Sequence, residues 1–255
     1  MSEVATKPRT AAQPLAAGRC VAIVPAHNEA ESIAAVVREI QGFDRNVEVV
    51  VVDDGSADRT AAVAEEAGAR VLRLPFNLGI GGAVQTGFRY AYERGFELAV
   101  RLDGDGQHDP SQLPKLLAPV LADDADIAVG SRFVGEQHWR STFARGVGIR
   151  LFARIVSALV GQRVTDTTSG FQACNRRAIA LFAADYPHDY PEVEATVMVF
   201  RHRLRLVEVP VTMRERAAGA SSITVLRSIY YAVKVSLALF VGLFRRDVTP
   251  IEEEE

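Results

Sequence analysis

Apolar runs alternate with amphipathic segments along the first half of the chain, and this alternation restricts the fold more than any other feature of the sequence. CVAIVPAHN is a run of small and β-branched residues, typical of a strand buried on both faces. EAESIAAVVREIQGF follows, with apolar residues at helical spacing: Ile33, Val36, Val37 and Ile40. VEVVVVDDGSADRTAAVAEEAGA repeats the strand and helix pair, so a parallel sheet is expected.

The alternation continues through the middle of the chain. ARVLRLP predicts a short third strand, and NLGIGGAVQTGFRYAYERG predicts a glycine-rich entry to a helix. FELAVRLDGDG predicts a fourth strand and SQLPKLLAPVLA another helix, while Gly42 and Gly68 are expected to end the first two helices. We therefore predict an α/β fold with a mostly parallel sheet flanked by helices. In such a sheet, ligands bind beyond the carboxyl ends of the strands.

Length and composition allow one large domain with short tails. The chain has 255 residues, of which 48% are hydrophobic, enough to bury a single sizeable core. Residues 1–19 lack the apolar run of a secretory signal and are expected to form a flexible arm, and residues 247–255 an acidic tail. The net charge of -3 does not indicate nucleic-acid binding, so no nucleic-acid partner is expected. Cys20 and Cys174 form no CxxC pair, so a reducing cytoplasm is the expected compartment.

Three of the predicted strand ends carry polar motifs: PAHNE, DDGS and DGDGQ. In the last of these, Asp103 and Asp105, with Gln107 beyond them, offer hard oxygen ligands to one Mg²⁺ or Mn²⁺. Such an ion would bridge a diphosphate and stabilise it as a leaving group. The alternative for an isolated DxD is an Asx-rich turn with solvated carboxylates.

The other polar motifs also have structural alternatives. NLGIGG is either a phosphate cradle or a plain connection into a helix, because it matches neither the Walker nor the GxGxxG pattern. Asp53 and Asp54 either face a ligand or cap the following helix. Asp58 and Ser56 are better placed for that cap. His27, taken alone, is interpreted as a loop residue, since no His/Ser/Asp constellation accompanies it.

Taken together, the motifs resemble a known family. VAIVPAHNE, VVVVDDGSADRT, NLGIGGAVQTG, LDGDGQHDP, AVGSRF and DTTSGFQACNRRAI, in that order, are similar to the family 2 glycosyltransferases of GT-A fold. Within that family they look most like the polyprenyl-phosphate sugar transferases of the dolichyl-phosphate mannose synthase type. The resemblance covers residues 21–246 and implies a GT-A domain over residues 20–218. Its donor-nucleotide half would be residues 20–130, and its acceptor half residues 131–218.

The resemblance implies a UDP- or GDP-sugar donor and a divalent metal. By position, the donor-binding residues would be Pro25, His27, Glu29, Asp54, Gly79 and Asp103. Asp103, Asp105 and Gln107 would be the metal ligands, for Mg²⁺ or Mn²⁺. Asp105 and Arg132 would be the catalytic residues.

On the acceptor side, the resemblance implies a phosphate site for a polyprenyl phosphate. Its residues would be Arg132, Arg145, Arg216 and Ser221. Arg150 and Arg154 are interpreted instead as the solvated basic face of an amphipathic helix. Asp166 and Ser169 lie in a segment like the family's DxTSGF, with a ligand-binding or a structural role. The chain departs from the RxxGxSK pattern at Ser222, where a Lys is usual, so either that phosphate contact comes from elsewhere or the acceptor differs.

The implied reaction is a direct displacement that inverts the anomeric carbon. A phosphate acceptor is already anionic and needs no general base, whereas a hydroxyl acceptor would need one. Candidates for that base are Asp189, Glu192 and Glu194, and the alternative for them is a charged loop with helix-capping carboxylates. A nucleotidyltransferase and a non-catalytic scaffold are the alternatives from other classes.

A membrane contact is expected from residues 219–246, a loop followed by an apolar helix. The segment SIYYAVKVSLALFVGLF, residues 228–244, is short for a bilayer span and is interrupted by Lys234, so an interfacial helix is expected. A helix packed on the core or on a second subunit is the alternative, and a homo-oligomer is compatible with either. We expect a peripheral protein at the inner face of the plasma membrane.

Overall fold

The structure, a computed structural model, describes residues 20–134, 153–154, 156–158, 161–188 and 191–214. The predicted arm at residues 1–19, the interfacial helix at residues 228–244 and the acidic tail lie outside the described residues. Within the part of the chain that the structure describes, no helix is both long enough and apolar enough to cross a membrane.

Seven strands form one mostly parallel sheet in the described residues. They are β1 (Cys20–Ala26), β2 (Val47–Asp53), β3 (Arg70–Arg73), β4 (Leu98–Arg101), β5 (Ile127–Ser131), β6 (Gln172–Asn175) and β7 (Leu206–Pro210). Their spatial order is β3-β2-β1-β4-β6-β5-β7. Strand β6 runs antiparallel to both of its neighbours, β4 and β5, and every other pairing is parallel. The predicted mostly parallel α/β sheet is therefore confirmed.

Helices cover the two faces of the sheet. They are α1 (Ile33–Phe43), α2 (Thr60–Glu66), α3 (Gly79–Glu93), α4 (Leu113–Leu121), α5 (Arg176–Ala184) and α6 (Pro191–Arg201). The predicted helix end at Gly42 is wrong by one residue, because α1 continues to Phe43. The end predicted at Gly68 is confirmed: this glycine has a φ of 91° just after α2, a conformation that glycine adopts without a Cβ clash.

Two apolar layers hold these helices against the sheet. Strand β1 directs Ala22 and Val24 to the layer that contains α1 and α4, and Val21 and Ile23 to the layer that contains α3 and α5. All four side chains are completely buried. The unbroken apolar sequence of this strand follows from its position between two covered faces, because neither side of it meets water.

The register of the central strands brings three loops to one edge of the sheet. Ala26, the last residue of β1, pairs with Asp53, the last residue of β2. On its other side β1 pairs with β4, whose last residue, Arg101, lies opposite Ile23. The polar motifs after β1, β2 and β4 therefore meet at the carboxyl edge of the sheet, as the sequence predicted.

Candidate donor and metal site

A cavity of about 280 Å³ opens at this carboxyl edge. It is lined by Pro25, Ala26, His27, Glu29, Asp54, Asn77, Gly79, Ile80, Ala83, Asp103, Gly104 and Asp105. All of the residues predicted to bind the donor are in this lining. A larger open groove of about 980 Å³ lies at the other end of β2 and β3, and it contains none of the predicted site residues.

The loop after β1 is fixed to the loop after β2. His27 Nδ1 lies 2.9 Å from the carbonyl oxygen of Asp54, so this nitrogen carries the proton and donates it. The other ring nitrogen, Nε2, then accepts from the side-chain amide of Asn28 at 3.1 Å. Asn28 itself has a φ of 56°, and its backbone N–H donates a hydrogen bond to the Ser56 hydroxyl oxygen at 3.0 Å. The His27 ring therefore lies on the cavity wall, with its orientation set by contacts to both loops.

Asp54 joins the second strand to the entry of α3. Its Oδ1 accepts a hydrogen bond from the backbone N–H of Leu78 at 2.7 Å, and the side chain is almost fully buried. Asp54 therefore does not cap α2. Asp58 accepts a hydrogen bond from the backbone N–H of Thr60, the first residue of α2, at 2.9 Å. Asp54 instead holds the NLGIGG loop against the cavity, with Gly79 at a φ of 82°.

Glu29 belongs to a small polar cluster between β1 and the DxD loop. The Ser32 hydroxyl lies 2.8 Å from Glu29 Oε2 and 2.8 Å from the carbonyl oxygen of Gly104. Gly104 is itself close-packed, because a Cβ there would stand 3.2 Å from the carbonyl oxygen of Pro25. The glycine between the two aspartates thus lets the loop approach the end of β1 closely.

The two aspartates of the DxD motif both face the cavity. The Asp103 side chain is about one-third exposed, and Asp105 is mostly buried, with its Oδ1 accepting from the backbone N–H of Gln107 at 3.0 Å. Gln107 does not line the cavity, and its carbonyl oxygen accepts from the backbone N–H of Arg214. The predicted role of Gln107 as a metal ligand stays a prediction.

The carboxylates suit a hard divalent cation that arrives with a phosphate ligand. In the described ranges, no three His, Cys, Asp or Glu side chains converge closely enough to hold an ion by themselves. Mg²⁺ is commonly bound through one or two carboxylates, with substrate phosphates and water completing its coordination. Asp103 and Asp105 provide such a partial set of oxygen ligands.

A fully buried arginine, which the sequence reasoning missed, lies directly beneath Asp103. Arg101 places Nη1 3.0 Å from the Tyr186 hydroxyl and Nη2 2.8 Å from Glu192 Oε1 and 3.5 Å from Asp103 Oδ1. Burial alone would lower the pKa of this guanidinium, but Tyr186, Glu192 and Asp103 outweigh it and raise the pKa. Arg101 is therefore a permanent buried cation. Its position at the end of an otherwise apolar strand was the signal that could have identified it.

His108 supports the same aspartate from the other side. Its ring stacks on Phe171, with 5.0 Å between ring centroids, and its Nδ1 accepts from the backbone N–H of Asp103 at 2.9 Å. Burial lowers the pKa of His108, with Asp103 opposing that shift. The ring is neutral near pH 7 and carries its proton on Nε2, 3.8 Å from Asp103 Oδ2.

Arg132, which was predicted to bind the acceptor, follows β5 and is held by the segment before β6. Its Nε and Nη2 donate to the two carboxylate oxygens of Asp166 at 2.7 and 2.8 Å, and Nη2 also contacts Thr168. Glu208 fixes this segment by accepting from the backbone N–H groups of Thr165 and Asp166. Asp166 thus orients Arg132, while Ser169 is buried nearby.

The structure describes two of the three candidate general bases, Glu192 and Glu194. Glu192 lies in the first turn of α6 and is paired with Arg101. Glu194 lies in the same turn, and its Oε1 is buried. Asp189 lies outside the described residues, as do several predicted acceptor-side residues: Arg145, Arg150, Arg216, Ser221 and Ser222. Arg154 is described and is exposed, in agreement with the predicted solvated face.

Comparison with known proteins identifies the chain's relatives. The family "Glycosyl transferase family 2" matches residues 21–183. An undecaprenyl-phosphate mannosyltransferase from Micrococcus luteus is 35% identical over 218 residues, which cover 81% of this chain and 88% of the relative. A polyprenol monophosphomannose synthase from Mycolicibacterium smegmatis is 32% identical over 216 residues, 81% of each chain.

Solved structures agree on the fold. Glucosyl-3-phosphoglycerate synthase from Mycobacterium tuberculosis, in complex with Mg²⁺ and uridine diphosphate, superposes with a TM-score of 0.70 at 21% identity, covering 91% of this chain and 82% of that chain. The same enzyme with Mn²⁺, uridine diphosphate and glucosyl-3-phosphoglycerate gives a TM-score of 0.68 at 21% identity, covering 89% and 80%.

The sheet order, the cavity at its carboxyl edge and these superpositions define a GT-A glycosyltransferase fold. The chain belongs to glycosyl transferase family 2. The family expected from the ordered motifs is therefore confirmed, and the curated relatives above come from the polyprenyl-phosphate group that those motifs indicated.

Proposed function

We propose that this protein transfers a hexose from a UDP- or GDP-sugar to a polyprenyl phosphate, with inversion at the anomeric carbon and with Mg²⁺ or Mn²⁺ as cofactor. The observation that carries the proposal is the shared cavity, in which the two DxD carboxylates lie beside the loops after β1 and β2 and the start of α3. Carboxylates, an imidazole and a glycine-rich helix entry in one small cavity suit a metal-bound nucleotide diphosphate.

In this proposal the donor lies across the central strands. The nucleotide contacts Pro25, His27, Glu29 and Gly79, while Asp54 acts by holding the loop that begins α3. Asp103 and Asp105 would hold the metal, which, when bound, would neutralise the charge that develops on the departing diphosphate. The M. tuberculosis synthase of the same fold was crystallised with Mn²⁺ or Mg²⁺ and uridine diphosphate, which supports a divalent cofactor for this fold.

The proposed acceptor rests on the relatives and on the state of the candidate bases. The M. luteus and M. smegmatis relatives are named for undecaprenyl-phosphate and polyprenol substrates. In this chain, Glu192 is already bound to Arg101, and Oε1 of Glu194 is buried. A phosphate acceptor fits this arrangement because its oxygen is anionic near pH 7 and needs no proton acceptor.

Arg132 is the described cation that we assign to the acceptor phosphate. Its guanidinium is aligned by two hydrogen bonds to Asp166, and an arginine fixed in this way presents its planar donors in one direction. Arg145, Arg216 and Ser221 would complete the phosphate site. The halves 20–130 and 131–218 would then bind donor and acceptor, and residues 219–246 would contact the inner face of the plasma membrane.

The experiment that tests the proposal measures nucleoside diphosphate release from a panel of UDP- and GDP-sugars. Each sugar is incubated with Mn²⁺ or Mg²⁺, with and without a short polyprenyl phosphate, and Asp105→Ala is the inactive control. Release that requires both metal and lipid is expected. Metal-dependent release of the nucleoside diphosphate that the lipid does not stimulate would indicate a hydroxyl compound as the acceptor. Release of pyrophosphate would show that the reaction is a nucleotidyl transfer and not a sugar transfer.

A further inference from the structure

Arg101 joins the two halves of the domain at a single buried guanidinium. It ends β4 in the donor half, and its side chain reaches Tyr186 and Glu192, which belong to the acceptor half. Its fractional exposure is 1%. Gly170 lies against the same group, since a Cβ there would stand 2.9 Å from Arg101 Nη2 and 3.2 Å from Asp103 Oδ1. The guanidinium is thus enclosed by three segments and can move little.

The two carboxylates near this guanidinium are bound unequally. Nη2 lies 2.8 Å from Glu192 Oε1, a charge-assisted hydrogen bond of ordinary length, but 3.5 Å from Asp103 Oδ1, the limit of such a contact. Glu192 is therefore the main counter-ion of Arg101. The contact of Arg101 with Asp103 is the weaker of the two.

This inequality matters because Arg101 and a metal ion would compete for the same carboxylate. A buried arginine keeps its charge and must be compensated, since an unpaired buried ion is costly. Without Glu192, Asp103 would be the nearest anion among the described contacts of Arg101. The guanidinium would then pair with Asp103 and reduce its ability to bind a divalent cation.

We infer that Glu192 is a positioning residue that neutralises Arg101, so that this guanidinium does not compete with the metal for Asp103. Glu192 is accordingly not the general base of the reaction. The inference rests on the proposed function, because it assigns Asp103 to a metal-nucleotide site. It adds to that function a residue of α6 that controls the affinity for the metal from the acceptor half.

The test measures binding, so it does not depend on turnover. Mn²⁺-dependent binding of UDP and of GDP is measured by titration calorimetry for the wild type, Glu192→Gln, and the double variant R101M/E192Q. Glu192→Gln is expected to raise the Kd for Mn²⁺ at saturating nucleotide about tenfold or more, because a charge-assisted hydrogen bond to Asp103 must then be broken. The double variant, which has neither charge, is expected to return to within about threefold of the wild type.

Glu48→Gln is the matched control. Glu48 is also paired with an arginine, Arg70 at 3.0 Å, but it lies in β2 at the opposite edge of the sheet. Its substitution changes the net charge equally and is expected to leave the Kd for Mn²⁺ unchanged. Thermal unfolding of each variant verifies that the folded state is retained.

Each other outcome contradicts the inference in a distinct way. An unchanged Kd in Glu192→Gln would show that Glu192 does not compensate Arg101. Equal weakening in the single and double variants would show that the pair has only a structural role. If the wild type bound neither nucleotide in a metal-dependent way, the proposed function would fail and the inference would fail with it.

Discussion

Gly81 is the position at which a single added methyl group should disturb the donor side of the domain most. It lies in the first turn of α3, and a Cβ there would stand 2.2 Å from the carbonyl oxygen of Pro187 and 2.7 Å from His188 Cα. Real Cβ contacts essentially never fall below 3.0 Å, and the opposing atoms belong to the backbone. Gly81→Ala must therefore separate α3 from the segment between α5 and α6.

The expected cost follows from that separation. Overpacking in a well-packed region costs about 1–3 kcal/mol. Replacing glycine by alanine in a helix returns at most about 1 kcal/mol. We expect Gly81→Ala to lower the free energy of unfolding by about 1–2 kcal/mol, and the melting temperature by about 2–8 °C for a domain of this size.

Urea and thermal unfolding measure both quantities, and Gly42→Ala supplies the control. Gly42 lies inside α1 with nothing within 4 Å of an added Cβ, so its substitution should raise stability by up to about 1 kcal/mol. If Gly81→Ala were as stable as Gly42→Ala, the close approach of α3 to Pro187 would not be part of the folded state.

Three further substitutions test other parts of the molecule. Asp105→Ala should abolish transfer while changing the melting temperature by less than about 4 °C, because a loop carboxylate contributes little to the core; normal turnover would remove Asp105 from the metal site. Arg132→Ala should raise the KM for the lipid acceptor about tenfold or more and leave metal-dependent donor binding unchanged, and equal losses in both would argue against the acceptor assignment. Asp126→Asn tests acid stability. Hydrogen bonds from Arg205 and Asn175 and the charge of Arg177 outweigh burial and lower the pKa of Asp126 from 3.8 to about 2. Its stabilisation, about 2 kcal/mol, is thus present above pH 4 and lost as the pH falls through about 2, so the stability gap between wild type and Asp126→Asn should close over that interval. A gap that stays constant in thermal unfolding from pH 7 to 2.5 would show that Asp126 does not titrate in this way.

The sheet and the location of the site could be predicted because their signals are local. Buried strands such as β1 require a continuous apolar run, and the helices after them require apolar residues at a 3.6-residue spacing. The topology of a parallel sheet then places every loop after a strand at the same edge. Asp103 and Asp54 were therefore assigned to one region although they are distant in sequence, and the structure places both on one cavity.

The roles of individual side chains could not be predicted as well from the sequence. Asp54 was expected either to contact a ligand or to cap α2. In the structure its side chain accepts a hydrogen bond from the backbone N–H of Leu78. His108 was not considered, although its ring supports the backbone of Asp103. These contacts depend on rotamers and on loop conformations that composition and spacing do not fix.

The sequence by itself determined the order of β1–β4 and of α1–α4, the edge of the sheet that carries the candidate site, and the carboxylates available there. These properties depend on the periodicity of neighbouring residues, which short-range patterns encode. Only the tertiary structure decided which cation lies beside those carboxylates and which second anion compensates that cation. Arg101 and Glu192 are 91 positions apart, and they pair beneath Asp103 because the fold brings the end of β4 and the first turn of α6 within hydrogen-bond distance. Buried charges require partners, but a linear sequence does not reveal which partner the fold brings within reach.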